Sequence, residues 1–267
     1  ILDGFEVSLQ TIVDLNMERV ASVTILKDAA STAIYGSKAA NGVVVIETKR
    51  PQAGQLRLSY NGDFSVSIPD LSDYNLMDAE EKLEYERMAG MFTSTNQLNY
   101  YNHYKTEILR GVDTYWLSEP LRTAVTHRHS LTMEGGDEAL RYNLGINYSR
   151  EPGVMKESGR NTMGLNLSLQ YRRKKWNIQN QLSLTNVRGD NSPYGSFSQY
   201  TRLNPYYRKT DEYGRYTSFL DRKLLPGEGG GTETIVNPLY NLLWKYKDFT
   251  ENFSVVDNFT IECAIRD

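Results

Sequence analysis

The chain is short of several things that would have identified it quickly. It has one cysteine, Cys263, in 267 residues, so no internal disulfide can form and no multi-cysteine metal site can assemble. It has three histidines. His127 and His129 lie two apart, as a strand-borne metal pair would, but no third ligand stands at a recognisable spacing, so they read as polar residues at a strand end. It lacks any run of the roughly 18 to 20 apolar residues that a membrane helix requires. It also lacks a basic-then-apolar leader, and a helical membrane protein is excluded. Acids and bases are nearly balanced, with a net charge of −3. The one basic cluster, "YRRKK" at 171–175, reads as a solvated turn, so no nucleic-acid footprint is expected. Catalytic signatures are missing as well. "GEGGG" at 227–231 has no Lys-Ser/Thr after it and reads as a loop tip, and there is no G-x-S-x-G or H-E-x-x-H. No enzyme activity and no cofactor is expected.

What is present is alternation. Hydrophobic residues make up only 39% of the chain and mean hydropathy is −0.55, which is low for an ordinary packed domain of this length. From Gln55 onward the pattern has period two. Leu56, Leu58, Tyr60, Phe64, Val66 and Ile68 oppose Arg57, Ser59, Asn61, Asp63, Ser65 and Ser67. The same alternation returns at 139–149, 163–171 and 176–185, with shorter or weaker runs at 128–134 and 252–262, which predicts about six strands. The run 55–68 would be roughly 45 Å long, enough to cross an apolar band of about 25 Å at a tilt. Connections alternate between long (about 69–126 and 187–250) and short ("GGDEA", "RRKK"), as in a barrel with inner turns and extended outer loops. Tyr142, Tyr148, Tyr171 and Trp176 fit interfacial girdle positions.

The first fifty residues read differently, as a small α+β unit. Asp14 or Asn16 can cap a short turn, "SVTILK" (22–27) suits a buried strand, Asp28 caps an alanine-rich helix closed by Gly36, and "VVVIETK" (43–49) suits a strand covered on both faces. Neither end of the chain reads as a natural terminus, so a piece of a longer protein is expected.

The stretch "SVTILKDAASTAIYGSKAANGVVVIETKR", preceded by "ILDGF", resembles the end of the plug domain of the SusC/RagA family of TonB-linked outer-membrane transporters. "ILRGVDTYW", "HRHSLTMEGGDEALRYNLGINYSREPG" and "GLNLSLQY" resemble that family's early barrel in the same order. The motif positions are Lys27, Asp28, Ala29, Tyr35, Gly36, Ala40, Asn41 and Gly42. The resemblance implies a mainly β fold with a small α+β segment: the end of a plug (1–52), then about six antiparallel strands (53–267) of an incomplete, roughly 22-stranded transmembrane β-barrel. It implies location in the outer membrane of a Gram-negative bacterium, in contact with its lipid. It also implies import of a nutrient, an oligosaccharide or a peptide, with a SusD-like lipoprotein as lid and TonB pulling on a plug segment that precedes Ile1. The competing reading is a soluble or surface-attached β-rich glycan-binding module.

Two further expectations concern the loops. In 187–250, Tyr194, Phe197, Tyr200, Tyr206 and Tyr207, with Tyr213, Tyr216 and Phe219, offer apolar faces beside polar handles and form a candidate ligand surface. Each ring taken singly reads as packing or partner contact. A helix is expected at 75–92, with Leu76, Met77, Leu83, Met88 and Met91 against the barrel rim.

Overall fold

The computed structural model describes residues 1–7, 9–13, 15, 17–27, 35, 39, 42–224, 232–244 and 247–265. Asp14, Asn16, Asp28, Ala29, Gly36, Ala40 and Asn41, and the 227–231 loop tip, lie outside them.

The period-two segments form one antiparallel sheet of six strands. In chain order these are β3 (Gly54–Ser67), β4 (Ala124–Gly136), β5 (Leu140–Pro152), β6 (Gly159–Arg173), β7 (Trp176–Asp190) and β10 (Phe249–Cys263). Each pairs with the next. Because side chains alternate, the registers decide which residues share a face. One lateral row is Tyr60, Leu131, Ile146, Leu165, Leu184 and Val255, and the row beside it on the same face is Leu58, Met133, Leu144, Leu167, Leu182 and Asp257. The opposite face carries Asn61, Ser130, Asn147, Gly164 and Thr185 in one row.

The β4–β5 turn holds this register. Asp137 Oδ1 accepts from Ala139 N at 2.8 Å and from Leu140 N at 2.7 Å, an Asx-type closure. Gly136 has φ +123°, and a Cβ there would come within 2.1 Å of the Leu140 carbonyl oxygen, so only glycine fits.

Ahead of the sheet, α1 (Leu9–Val13) leads to a hairpin of β1 (Val20–Leu26) and β2 (Val43–Thr48). Gly42 enters β2 at φ +97°, and a Cβ on it would sit 2.9 Å from the Leu26 carbonyl oxygen. Asp3 clamps the hairpin to the first residues, accepting from Thr48 N and Thr48 Oγ1, both at 2.7 Å. The hairpin is not covered on both faces as its sequence led us to expect. Ile46 and Thr48 are buried, but Val23, Ile25 and Val44 are 51, 60 and 42% exposed. Hydrophobic runs carry no record of which neighbour covers them.

The two long connections fold together over one end of the sheet. The first holds α2 (Ala79–Met88) and α3 (Thr95–Leu109). The second holds a short α4 (Phe197–Tyr200) and the hairpin β8 (Phe219–Leu224) with β9 (Thr232–Val236). Both α2 and α3 begin at reciprocal capping boxes. Asp78 Oδ1 accepts from Glu81 N at 2.8 Å, and Ser94 Oγ accepts from Gln97 N at 3.3 Å. Each box satisfies backbone donors that a helix start leaves open. Of the residues expected to pack from 75–92, Leu83 is buried, whereas Leu76, Met77, Met88 and Met91 are exposed. The helix is shorter than 75–92, so those four sit beside or beyond its packed turn.

Candidate functional site: a two-faced sheet, a docked N-terminal unit and a loop layer

The apolar face of the sheet has no second layer upon it among the described residues. Leu56, Leu58, Tyr60, Phe64, Val66 and Ile68 are between 60 and 72% exposed, and Met163, Trp176, Phe253 and Phe259 are exposed too. A water-soluble chain rarely leaves so large a contiguous apolar face open. Aromatic rings gather toward both ends of it. Tyr142, Tyr171 and Trp176 lie nearer the short turns, and Tyr148 nearer the long connections.

His127 and His129 are on this face as well. Phe64 stands 5.6 Å from His129 and 6.4 Å from His127, and Tyr60 Oη bonds His129 Nδ1 at 2.7 Å. They are members of an aromatic patch rather than residues of the polar face, and no group of three potential metal ligands occurs among the described residues. The last strand interrupts the stripe. Asp257 and Glu251 share its face, and their carboxylates accept from Asn180 Nδ2 at 2.6 Å and Asn186 Nδ2 at 3.1 Å. These bonds offset part of the cost of polar groups there.

The polar face receives the N-terminal unit. Arg19, at the start of β1, donates from Nη1 to Asn166 Oδ1 on β6. Asn166 is 6% exposed; the same oxygen accepts from Ser183 Oγ at 2.7 Å, and its amide donates to Asn147 Oδ1 at 3.4 Å. Burial lowers the pKa of the Arg19 guanidinium, with the nearby Asp3 carboxylate opposing the shift; an arginine stays charged regardless. The contact is therefore a part-buried cation held by a neutral amide oxygen, with the Asp3 carboxylate near by. Such a charge-assisted bond is directional and stronger than one between neutral groups. Beside it the space between unit and sheet is a polar cavity of about 370 Å³, reached by Arg19, Thr48, Asn61, Asn143, Asn147 and Asn166.

The loop layer is built around tyrosine. Tyr200, Tyr206 and Tyr207 are 1, 1 and 4% exposed and share a core with Ala79, Leu83, Tyr104, Trp116 and Leu239. Tyr104 and Tyr206 stack at 4.5 Å between centroids, and Tyr207 meets Tyr206 edge-on at 5.1 Å. Their polar atoms are engaged: Tyr206 Oη donates to Glu86 Oε2 at 2.8 Å, Tyr104 Oη donates to Asp221, and Tyr200 Oη donates to the Tyr194 carbonyl at 2.9 Å. Trp116 Nε1 to Asn204 O (3.0 Å) and Thr114 Oγ1 to Tyr207 O (3.1 Å) fasten one connection to the other. Further protein around this layer could only bury these rings more. The ligand surface read from the aromatic cluster is thus narrowed: Tyr200, Tyr206 and Tyr207 pack the layer, while Tyr194 and Phe197 keep part of their faces accessible.

This core has a pH signature. Burial, and for Tyr104 and Tyr206 their carboxylate partners, raise the phenol pKa values of Tyr104, Tyr200 and Tyr206 above the ordinary value. Stability from a raised pKa is fully present below the unfolded-state value of about 10 and falls as the pH rises beyond it. Circular dichroism melting of the protein, read with phenolate absorbance, should therefore show a loop transition indifferent to pH up to about 10 and falling steeply above it. Loss beginning near neutrality would contradict the assignment.

No family model matches the chain. It is 34% identical over 157 residues to the TonB-dependent receptor SusC of Bacteroides thetaiotaomicron, a match covering 58% of this chain and 14% of that protein. It is 28% identical over 175 residues to the TonB-dependent receptor P39 of Formosa agariphila, covering 64% of this chain and 16% of the relative. The RagAB peptide importer in its closed-closed state superposes with a TM-score of 0.76 over 99% of this chain at 21% identity. The chain is similar in sequence to TonB-dependent receptors of the SusC type and shares the fold of the RagAB importer chain. It spans 32% of the RagAB chain it superposes on. The same chain matches the open-open RagAB structure at a TM-score of 0.70. The fold shared with that structure goes with the chain's low hydropathy and two-faced strands. Sequence reasoning missed α3 and the β8–β9 hairpin. The only signal for α3 was Ser94 three residues before Gln97, because its Asn- and Tyr-rich surface hides a helical period.

Proposed function

We propose that this receptor chain forms part of a TonB-dependent outer-membrane importer of nutrients, for oligosaccharides or, alternatively, peptides. The observation that carries the reading is the two-faced sheet: an exposed apolar side, and a polar side on which a small folded unit is docked. In this reading residues 1–52 are the end of the plug and 53–267 the first part of a roughly 22-stranded wall. The apolar face lies in the outer membrane of a Gram-negative cell, and the long connections face outward. A SusD-like lipoprotein closes over the loop layer, where Tyr194 and Phe197 are available to ligand. TonB acts on a plug segment that precedes Ile1. The Arg19–Asn166 contact suits a plug that must hold when idle and release under force. A soluble glycan-binding module would need a cover for the apolar face, and among the described residues none is present.

The reading is tested by tethering. In the full-length receptor, with Cys263→Ser, the cysteines of Arg19→Cys and Asn166→Cys are bridged with a bis(methanethiosulfonate) cross-linker, whose disulfides form with loss of methanesulfinate and are cleaved by reductant. Growth on single oligosaccharides and on peptide mixtures is then measured. Bridged cells should lose uptake and regain it on cleavage, with surface abundance unchanged. Undiminished uptake by bridged cells would sink the proposal.

A further inference from the structure

At the long-connection end of the apolar face, the character of the lateral rows changes over four residues. The row Leu131, Ile146, Leu165, Leu184 and Val255 is aliphatic, the next row on that face is His129, Tyr148, Met163, Asn186 and Phe253, and the row four positions from the first reads His127, Arg150, Asn161, Arg188 and Glu251. Above that polar row is a pocket of about 330 Å³ lined by Arg122, Arg150, Asn161, Arg188 and Lys247.

The charges there are unequally engaged. Arg188 donates to Asp190 Oδ1 at 3.0 Å and lies 4.3 Å over the Phe249 ring. Arg122 donates to the Gly153 and Ser158 carbonyls at 3.2 and 3.0 Å. Among the carboxylates, Asp190 is held by Arg188, Asp248 by Asn191 Nδ2 at 3.0 Å, and Glu251 by Asn186; Glu157 is exposed. Arg150 and Lys247 make no hydrogen bond or ion pair with any other described residue, yet both line the same pocket.

We propose that this pocket binds the phosphorylated headgroup of an outer-leaflet lipid whose acyl chains lie along the apolar rows beneath it. Arg150 and Lys247 supply the charge, Asn161 and the backbone at Gly159 supply hydrogen bonds, and Arg188, steadied on Phe249, forms the side of the site. The placement carries the assignment to a lipid. Arg150 and Arg188 are on the outward face, one row above Tyr148, Met163 and Phe253 and two rows above the aliphatic side chains, so an anion that brings its own chains gains on both surfaces. The polar face, where a transported solute would travel, is on the other side of the strands. The inference rests on the membrane-wall reading of the sheet.

The test uses full-length receptor purified in mild detergent and incubated with lipid A, with dephosphorylated lipid A, or with inorganic phosphate, and bound lipid is counted by native mass spectrometry. The wild type should retain phosphorylated lipid A at least tenfold more than the dephosphorylated form, and Arg150→Ala with Lys247→Ala should abolish that preference. Retention of the dephosphorylated lipid and heat-resistant migration, which reports folding, should not change. Equal retention of the two lipids, or full competition by inorganic phosphate alone, would overturn the headgroup site while leaving the wall reading intact. Failure of the wild type to retain either lipid would reject the wall reading, and this inference with it. If the double variant does not fold, Arg150→Lys with Lys247→Arg replaces it and must keep the preference; its loss overturns the proposal.

Discussion

Replacing Tyr206 with alanine is expected to destabilise the loop layer by about 3–5 kcal/mol, the range for removing a buried aromatic ring. The ring is 1% exposed, stacked on Tyr104, and its hydroxyl is bonded to the buried Glu86 carboxylate. Removing it leaves a cavity between the two connections and an acceptor without its donor. Hydrogen exchange on the full-length receptor reads this directly. Amides of α3 that exchange by local opening should do so on the order of 100-fold faster, while those of the sheet stay protected. Tyr206→Phe keeps the ring and should cost roughly half as much or less, since it removes only the hydrogen bond. If Tyr206→Ala left exchange unchanged and weakened ligand binding, the ring would belong to a ligand surface and the packing assigned to it would be wrong.

The second large effect concerns the opposite boundary of the molecule. Leu167 stands in the middle of the apolar face, between Leu144 and Leu182. Arginine at this position should cost about 2–4 kcal/mol if the face lies near the bilayer midplane. It should lower the outer-membrane abundance of the full-length receptor several-fold. Arginine at Thr260, which points to the other side from β10, should be tolerated with little loss. Similar abundance for the two variants would mean that the faces do not differ in solvent.

The same two regions show how much could be read in advance. The wall strands were legible because alternation is a local property: Leu140, Tyr142, Leu144, Ile146 and Tyr148 announce a face without any neighbour's help. The hairpin of the N-terminal unit was legible as strands but not in its burial, because Val23 and Ile25 look alike whether a partner covers them or not. The loop layer was least legible. Its tyrosines carry both an apolar face and a hydroxyl, so composition alone could not separate a ligand platform from a core, and the deciding fact is a contact between connections more than 100 residues apart in Tyr206 to Glu86. Arg19 gave no signal at all. Its role depends on Asn166, 147 residues away, and on a docking that neither local pattern encodes.

The most direct test of the account is the solvent on either side of one strand. In the full-length receptor with Cys263→Ser, single spin labels are placed at successive positions 163 to 168 of β6 and reconstituted into lipid bilayers. Accessibility to oxygen and to a water-soluble nickel chelate is measured at each. The two-faced wall predicts that oxygen, which concentrates in lipid, reaches labels at 163, 165 and 167. It predicts low oxygen accessibility at 164, 166 and 168, where the face is polar and the N-terminal unit is docked. A period of two, with oxygen maxima on the leucines, would establish the membrane face. Uniform access of the water-soluble chelate along the strand would contradict it and return the chain to a water-soluble fold.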